Sequence, residues 1–231
     1  MDNRGGFDLR RVLLFRGLNG CDLTALLAKA RQEAAVRGST FFNECDDALH
    51  CRLLVAGRIK LVQTSTDGNQ VVTRFVAPGE MFGWAQVLGA SVYPGSAEAM
   101  VDSVALTWDA ASMRSALAAH PVLALNALEL LGARLREAQD RLREVATERV
   151  ERRVARALLR LARQSARPTG EGVEIGFPVT RQDLAETTGA TLHTVSRILA
   201  AWEHSGILAG SRQRIVLLHP GRLETLAEDG G

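Results

Sequence analysis

Six apolar residues in the middle of the chain recur at spacings that alternate between three and four, and no other feature restricts the fold as strongly. They are Leu128, Leu131, Leu135, Ala138, Leu142 and Val145. An a/d repeat of this kind predicts a long helix with one narrow apolar seam and charged residues on its other faces. We therefore predict a dimerisation helix over residues 121–147 that pairs with a second copy of itself in a coiled coil. The alternative is an amphipathic helix that lies on its own domain.

The next position of the seam would be Arg149, which is charged, so the seam ends before it. The end of the seam marks a boundary between two helices. A second apolar period starts there and predicts a new helix in a new domain. Its positions are Val150, Val154, Ala157, Leu158 and Leu161. Residues 146–148 are then a candidate hinge between the two helices. Further along, residues 168–172 contain one proline and two glycines and are typical of a loop.

Before the long helix, residues 36–108 consist of short apolar runs separated by glycine-containing turns. Residues 53–57, 59–62 and 71–76 are strand-like, and Asp67-Gly68 is a strong hairpin signal because glycine adopts the positive φ of a tight turn without strain. Many short strands with regular turns predict a compact β-roll. Residues 22–31 are predicted to form a short helix outside it.

Residues 180–202 have the pattern of two helices joined by a tight turn. Thr180 is a natural N-cap, Ala185 is small where a second helix must cross closely, and Gly189 allows a left-handed turn. The side chains of Val195 and Ile198 are then predicted to face inward and to form the buried side of the second helix. This is the packing pattern of a helix-turn-helix. Downstream, residues 207–208 and 214–218, joined by polar residues 210–213, predict a β-hairpin wing.

The start of the second helix carries exposed-type residues, and this end of a recognition helix enters the major groove of DNA. Arg197 can donate two hydrogen bonds to guanine, which is the commonest base-specific contact. The alternative for Arg197 is a surface salt bridge with Glu203 or Glu186. Residues at the start of the first helix can hold a phosphate. The predicted DNA-binding residues are Thr180, Arg181, Gln182, Leu192, His193, Thr194, Ser196 and Arg197.

Composition excludes several classes of protein. The net charge of +2 is too small for non-specific binding of the whole chain to nucleic acid or to a membrane. Polar residues interrupt the longest apolar stretch, 116–131, so we expect no membrane partner, and residues 1–11 lack the apolar core of a secretory signal. Three irregularly spaced cysteines are no disulfide framework and favour the cytoplasm. No arrangement of residues typical of a catalytic or metal site occurs, so we expect no enzyme.

Four segments together carry a resemblance to a known family: GRIK at 57–60, DG at 67–68, PGEMFG at 78–83 and TVSR at 194–197. The chain resembles the Crp/Fnr superfamily, that of the cyclic-AMP receptor protein and the fumarate–nitrate regulator. The resemblance implies an α+β protein with a β-roll sensor domain (1–120), a dimerisation helix (121–147) and a winged helix-turn-helix DNA-binding domain (148–231). It implies a homodimeric transcription regulator that binds an inverted repeat in double-stranded DNA, with RNA polymerase as a further partner.

The chain departs from that family at three places. His193 stands where members usually have the glutamate that accepts from cytosine, so an altered half-site is expected. Cyclic-nucleotide binders have an Arg-Ser pair that takes the phosphate, but residues 93–97 here contain no arginine, and the Thr-Ser pair that contacts adenine aligns with Ala138 and Gln139. We therefore expect no cyclic AMP. Three scattered cysteines also cannot hold the four-thiolate iron–sulfur cluster of the fumarate–nitrate type.

The YPGSA run at 93–97 and the TLHTVSR helix at 191–197 are most similar to the subgroup that answers nitrogen oxides, often through haem. Haem is therefore our candidate cofactor, with His50 and Cys51 as candidate iron ligands and His120 close to the dimerisation helix. The alternatives are a solvated strand residue for His50, a core residue for Cys51 and a helix start for His120. A regulator that needs no ligand and is controlled by its abundance is the alternative function.

Overall fold

The computed structural model describes residues 8–211 and 213–228. Residues 1–7, part of the N-terminal segment without the apolar core of a secretory signal, lie outside this range, as does Arg212 in the predicted wing turn. The chain forms two compact units. The first runs as far as Glu137 without Gln70–Val72, and the second holds those three residues and the chain from Ala138 onward.

The first unit contains the predicted β-roll. Two four-stranded sheets form it, with strand orders β1-β8-β3-β6 and β2-β7-β4-β5. Its strands are β1 Arg31–Ala35, β2 Thr40–Phe42, β3 His50–Ala56, β4 Ile59–Thr64, β5 Gln70–Val76, β6 Met81–Phe82, β7 Ser96–Ala99 and β8 Ser103–Asp109. The sequence therefore predicted this part of the fold correctly, because glycine turns and short apolar runs are local signals.

Glycines at two turns have the backbone that the sequence predicts. Gly68 has a φ of +80° in the hairpin between β4 and β5. Gly57 has a φ of +95°, and a Cβ added there would overlap Ser103. Both the positive φ and the lack of space therefore exclude a side chain at this position. The predicted helix over 22–31 is α1, Gly20–Ala28. It ends earlier than predicted because Arg31 already pairs with Thr107 between β1 and β8.

Two apolar clusters fill the first unit. One contains the fully buried Trp108, whose indole N–H donates to the carbonyl of Leu26 in α1 at 2.8 Å. It also takes in side chains from two short 3-10 turns, Leu9–Arg11 and Leu13–Phe15. The other cluster contains Phe42 and Tyr93, whose rings stack with centroids 3.8 Å apart.

Helix α2, Ala110–Ala119, follows β8, and α3 then spans Pro121–Thr147, the residues over which the sequence predicts the long helix. Asn126 anchors the first part of α3 by donating to the carbonyls of Leu14 and Arg16. In the described residues no helix alone has both the length and the apolar content of a membrane span; α2 and α3 reach them only as a pair bent by 114°.

Most of the predicted seam of α3 is exposed in the single chain. Leu128, Leu135, Leu142 and Val145 are 63, 60, 71 and 51% exposed, and Ala138 is also exposed. Leu131 is half-buried because it lines a cavity of the first unit. The alternative interpretation, a helix that lies on its own domain, therefore holds for the start of α3, where Leu123 and Ala127 are buried, but not for the seam.

The second unit contains the end of α3, a winged helix-turn-helix and one four-stranded sheet of order β11-β12-β10-β9. Its further elements are α4 Val150–Ser165, β9 Ala166–Pro168, β10 Val173–Ile175, α5 Arg181–Thr188, α6 Leu192–His204, β11 Leu208–Ser211, β12 Arg214–Leu217 and α7 Pro220–Glu228. The predicted loop over 168–172 is shorter than expected, because Pro168 pairs with Val173 across the β9–β10 hairpin.

Candidate nucleic-acid interface and effector cavity

The turn between α5 and α6 has the geometry that the sequence predicts. Thr180 caps α5 in a capping box: its hydroxyl accepts from the amide of Asp183 at 3.0 Å, and the Asp183 carboxylate accepts from the amide of Thr180 at 2.9 Å. Gly189 ends α5 with a φ of +61°, in the left-handed region. Thr191 caps α6 by accepting from the amide of Thr194. The helix-turn-helix is therefore held by local hydrogen bonds at both helix starts.

The buried face of α6 differs from the predicted one at one position. Val195 is fully buried as predicted, but Ile198 is only half-buried. Leu199 and Trp202 complete the buried face, since residues i, i+4 and i+7 share one side of a helix. The indole N–H of Trp202 donates to the carboxylate of Glu151 on α4 at 3.1 Å.

The opposite face of α6 places four predicted base-contacting residues together. Leu192, His193 and Arg197 are exposed, and Ser196 is half-buried beside them. Thr194 is also half-buried, and its hydroxyl is hydrogen-bonded to that of Thr191 at 2.9 Å. Thr194 is therefore occupied in the helix cap, while the other four face outward.

The two alternative partners of Arg197 are engaged elsewhere. Glu203 forms an ion pair with Arg181 at 3.1 Å, and Glu186 accepts from Gln182 at 2.8 Å. Throughout residues 8–211 and 213–228, no carboxylate pairs with Arg197. The guanidinium of Arg197 is thus available to an external acceptor, whereas that of Arg181 is bound by Glu203. Arg181 and Glu203 are 22 residues apart in the chain, so no local sequence pattern predicts their ion pair.

The predicted wing is an antiparallel hairpin in which Leu208 pairs with Leu217 and Ser211 with Arg214. Arg214 also forms an ion pair with Glu174 of β10 at 3.1 Å. This contact ties the wing to the neighbouring strand.

A cavity of about 630 Å³ lies in the first unit between the roll and the first half of α3. Its walls are mainly apolar, with Phe42, Met81, Trp84 and Leu130 among the lining residues. Three arginines, Arg11, Arg74 and Arg134, and two glutamates, Glu80 and Glu137, supply its charged groups.

An ion pair across this cavity links the roll to α3. Arg134 of α3 contacts the carboxylate of Glu80 at 2.6 Å, and the amide of Ala77 donates to the same carboxylate at 3.0 Å. Burial raises the pKa of Glu80, but the charges of Arg134 and Arg74 outweigh it and hold that pKa below its usual value. Glu80 is therefore ionised, and its carboxylate is already bound by Arg134.

Comparison with known proteins gives the same two-part organisation. The model of the cyclic nucleotide-binding domain matches residues 32–120, and that of the Crp-like helix-turn-helix domain matches residues 152–226. The nitrogen fixation regulation protein FixK of Azorhizobium caulinodans is 30% identical over 183 residues, which are 79% of this chain and 73% of FixK. The chain belongs to the Crp/Fnr family of transcription regulators.

Further relatives span nearly the whole of this Crp/Fnr regulator. The cyclic AMP receptor protein of Thermus thermophilus is 29% identical over 211 residues, 91% of each chain. The solved structure of FixK2 from Bradyrhizobium japonicum superposes with a TM-score of 0.77 at 25% identity, covering 87% of this chain and 99% of FixK2. The matched domains and relatives are those of DNA-binding transcription regulators and not of enzymes, as the sequence predicts.

Part of the segment 93–97, in which the sequence has no arginine for a cyclic phosphate, lies on the cavity wall of this Crp/Fnr regulator. Tyr93, Pro94 and Gly95 line the cavity, and a Cβ added at Gly95 would come within 2.6 Å of the carbonyl oxygen of Val62. A side chain therefore has no room at Gly95 in this backbone. Ala138 and Gln139 are exposed and are not among the lining residues.

The two candidate haem ligands do not fit one iron. Cys51 lies fully buried in the core around Trp108, where burial raises the pKa of its thiol to about 12. Its neighbour His50 is hydrogen-bonded to Arg31 at 2.8 Å, and burial with the charges of Arg52 and Arg31 lowers its pKa. Successive side chains of a strand point to opposite faces, so the two do not converge.

Neither His50 nor Cys51 lines the cavity. His120 ends α2 and lies 3.3 Å from the carboxylate of Asp22. In the described part of the chain, no group of three or more histidines, cysteines or acidic residues is placed to hold a metal ion.

Proposed function

We propose that this Crp/Fnr regulator acts as a homodimer and binds an inverted repeat in double-stranded DNA through α6 of each subunit. The observation that carries this proposal is the outward face of α6. There Arg197 is exposed with no carboxylate partner in the described residues, and Leu192 and His193 at the start of the same helix are exposed as well. A guanidinium in this place can donate two hydrogen bonds to a guanine in the major groove.

The exposed seam of α3 supports the homodimer. Four large apolar side chains, those of Leu128, Leu135, Leu142 and Val145, stand at a/d positions over nearly five turns and are more than half exposed. Pairing with a second copy would remove them from water, and two-fold symmetry would present two recognition helices to one face of the duplex. We propose RNA polymerase as the further partner and the cytoplasm as the place of action.

Selection from a random double-stranded library tests this proposal. We expect an inverted repeat with half-sites about one helical turn apart. Selection with His193→Glu should change the preferred base at one position of each half-site, because a carboxylate accepts from cytosine N4. A consensus without two-fold symmetry, or one unaffected by His193→Glu, would contradict the assignment of α6 as the reading helix.

The cavity of the first unit favours control by a small effector other than cyclic AMP. Its wall has no room for a side chain at Gly95, and its Glu80 carboxylate is already paired with Arg134. A cyclic phosphate would therefore enter without the arginine that cyclic-nucleotide binders are expected to supply from this segment, at a desolvation cost. Haem has no support from His50 and Cys51, because they face opposite sides of β3.

The alternative is a regulator that needs no effector and is controlled by its abundance. Mass and absorption spectra of the purified protein show whether it carries an effector. Binding to the selected inverted repeat without and with added haem then distinguishes a regulator controlled by an effector from one controlled by its abundance. Ligand-free protein that binds the operator at full affinity would support the alternative.

A further inference from the structure

Two carboxylates are buried where α3 meets α4, that of Glu144 in the last turn of α3 and that of Glu148 just after it, although the sequence marks this region as a candidate hinge. Glu144 is 5% exposed, and the side chain of Glu148 is 4% exposed. They lie one helical turn apart, and the seam residues Leu142 and Val145 beside them face solvent. The end of α3 therefore has an apolar outer stripe and an acidic inner stripe.

Arginines from three successive turns of α4 meet this acidic stripe. Arg160 contacts the Glu144 carboxylate at 2.7 Å, and Arg156 reaches both carboxylates, Glu148 at 3.3 Å and Glu144 at 3.8 Å. Arg152 lies 3.6 Å from Glu148. Together they connect α3 and α4 across the two residues that separate the helices.

The same arginines are held on their other side. Arg152 and Arg156 each donate to the carbonyl of Ala227 in α7, at 2.8 and 3.1 Å. A fourth arginine, the buried Arg153, donates to the carbonyls of Val145 at 3.1 Å and Glu148 at 3.4 Å. It thereby satisfies the carbonyl of Val145, in the last turn of α3, and that of Glu148 just beyond the helix.

The recognition helix is fixed to α4 in turn. Glu151, in the first turn of α4, accepts from the indole N–H of Trp202 in α6, and Trp202 is almost fully buried. A continuous set of contacts thus runs from the end of α3 through α4 to α6, all within the second unit.

We propose that Glu144 and Glu148 are positioning residues for DNA recognition: they lock the joint at residues 148–149 and so set the distance between the two recognition helices of the dimer. Buried ion pairs add little net stability because desolvation offsets their attraction, but they hold a geometry. The joint that the sequence predicts as a hinge is in this view rigid. The inference rests on the proposed homodimer and its inverted repeat.

The test uses the whole chain described here and the selected inverted repeat, with the distance between half-site centres changed by one or two base pairs in either direction. The wild type should bind one spacing at least tenfold more tightly than its neighbours, and Glu144→Gln/Glu148→Gln should lose at least tenfold of this preference. Removal of two negative charges should by itself leave binding to random DNA unchanged or stronger, since DNA is an anion. If Glu144→Gln/Glu148→Gln loses the spacing preference but still binds random DNA as tightly as the wild type, the change in charge cannot by itself explain the loss.

Asp140→Asn is the matched control, because Asp140 lies on α3 with an exposed side chain whose ion pair goes to Arg143. It should bind as the wild type does. Arg160→Lys, which keeps the charge, should retain the spacing preference, and Arg160→Met should lose it. Circular dichroism and sedimentation check that each variant is folded and dimeric; should the double glutamate variant not fold, the two Arg160 variants decide.

Wild-type spacing preference in folded Glu144→Gln/Glu148→Gln, or in Arg160→Met, would overturn the lock. A wild type that binds no inverted repeat would instead refute the proposed function, and the lock with it.

Discussion

Leu135→Glu tests the dimer most directly, because Leu135 stands in the middle of the seam and is 60% exposed in the single chain. Burying a whole leucine side chain is worth about 1.5–3 kcal/mol, so covering the exposed part of Leu135 contributes about 1 kcal/mol in each subunit. A glutamate loses that contribution. It also brings two like charges together at the symmetry axis, which costs roughly 1–4 kcal/mol more.

The expected loss is therefore about 3–6 kcal/mol per dimer, which corresponds to a dimer dissociation constant raised roughly 10²–10⁴-fold. Sedimentation at micromolar protein should show monomers, and binding to the inverted repeat should be lost. Circular dichroism should remain that of a folded protein, because Leu135 belongs to neither apolar cluster of the first unit.

Arg136→Gln is the matched control for charge. It makes the chain more negative by one unit, as Leu135→Glu does, at an exposed position off the seam. It should leave the dimer intact. A Leu135→Glu protein that sediments as a dimer at the wild-type concentration would refute the coiled-coil assignment.

Three further predictions follow from the site geometry. Arg197→Ala should cost about 1–3 kcal/mol on the selected site and little on random DNA in gel-shift titrations; equal losses on both would make Arg197 a phosphate or structural residue. Millimolar cyclic AMP should leave the melting temperature and operator affinity unchanged, whereas a ligand at 100 times its dissociation constant stabilises by about 2.7 kcal/mol. Because Arg134 and Arg74 lower the pKa of Glu80, its contribution to stability is present above the ordinary carboxyl pKa and disappears as pH falls through the folded-state value. Glu80→Gln should therefore destabilise the protein near neutral pH and weaken the dependence of melting temperature on acid; an unchanged acid profile would contradict the role of the Glu80–Arg134 pair.

Local signals predicted most elements of the fold. Gly68 and Gly189 have the positive φ that their turns require, and Thr180 caps α5, because these requirements lie within a few residues of chain. The heptad at 128–145 predicted the long helix α3, since a 3-4 apolar repeat has no other regular solution over this length. The same reasoning failed at Ile198, where the choice between neighbouring helical positions depends on how α4 and the wing pack against α6.

The sequence by itself determined the order of the elements, the roll, the long helix and the exposed N-terminal end of α6, because propensity, caps and apolar period act between near neighbours. Only the tertiary structure decided which charges meet. It paired Arg181 with Glu203, Arg134 with Glu80, and Glu144 with Arg160, over separations of 22, 54 and 16 residues. It also buried Cys51 in the core around Trp108 and paired His50 with Arg31. An ion pair depends on the position of two side chains in space, and a chain with 26 acidic and 28 basic residues allows many pairings until packing selects one.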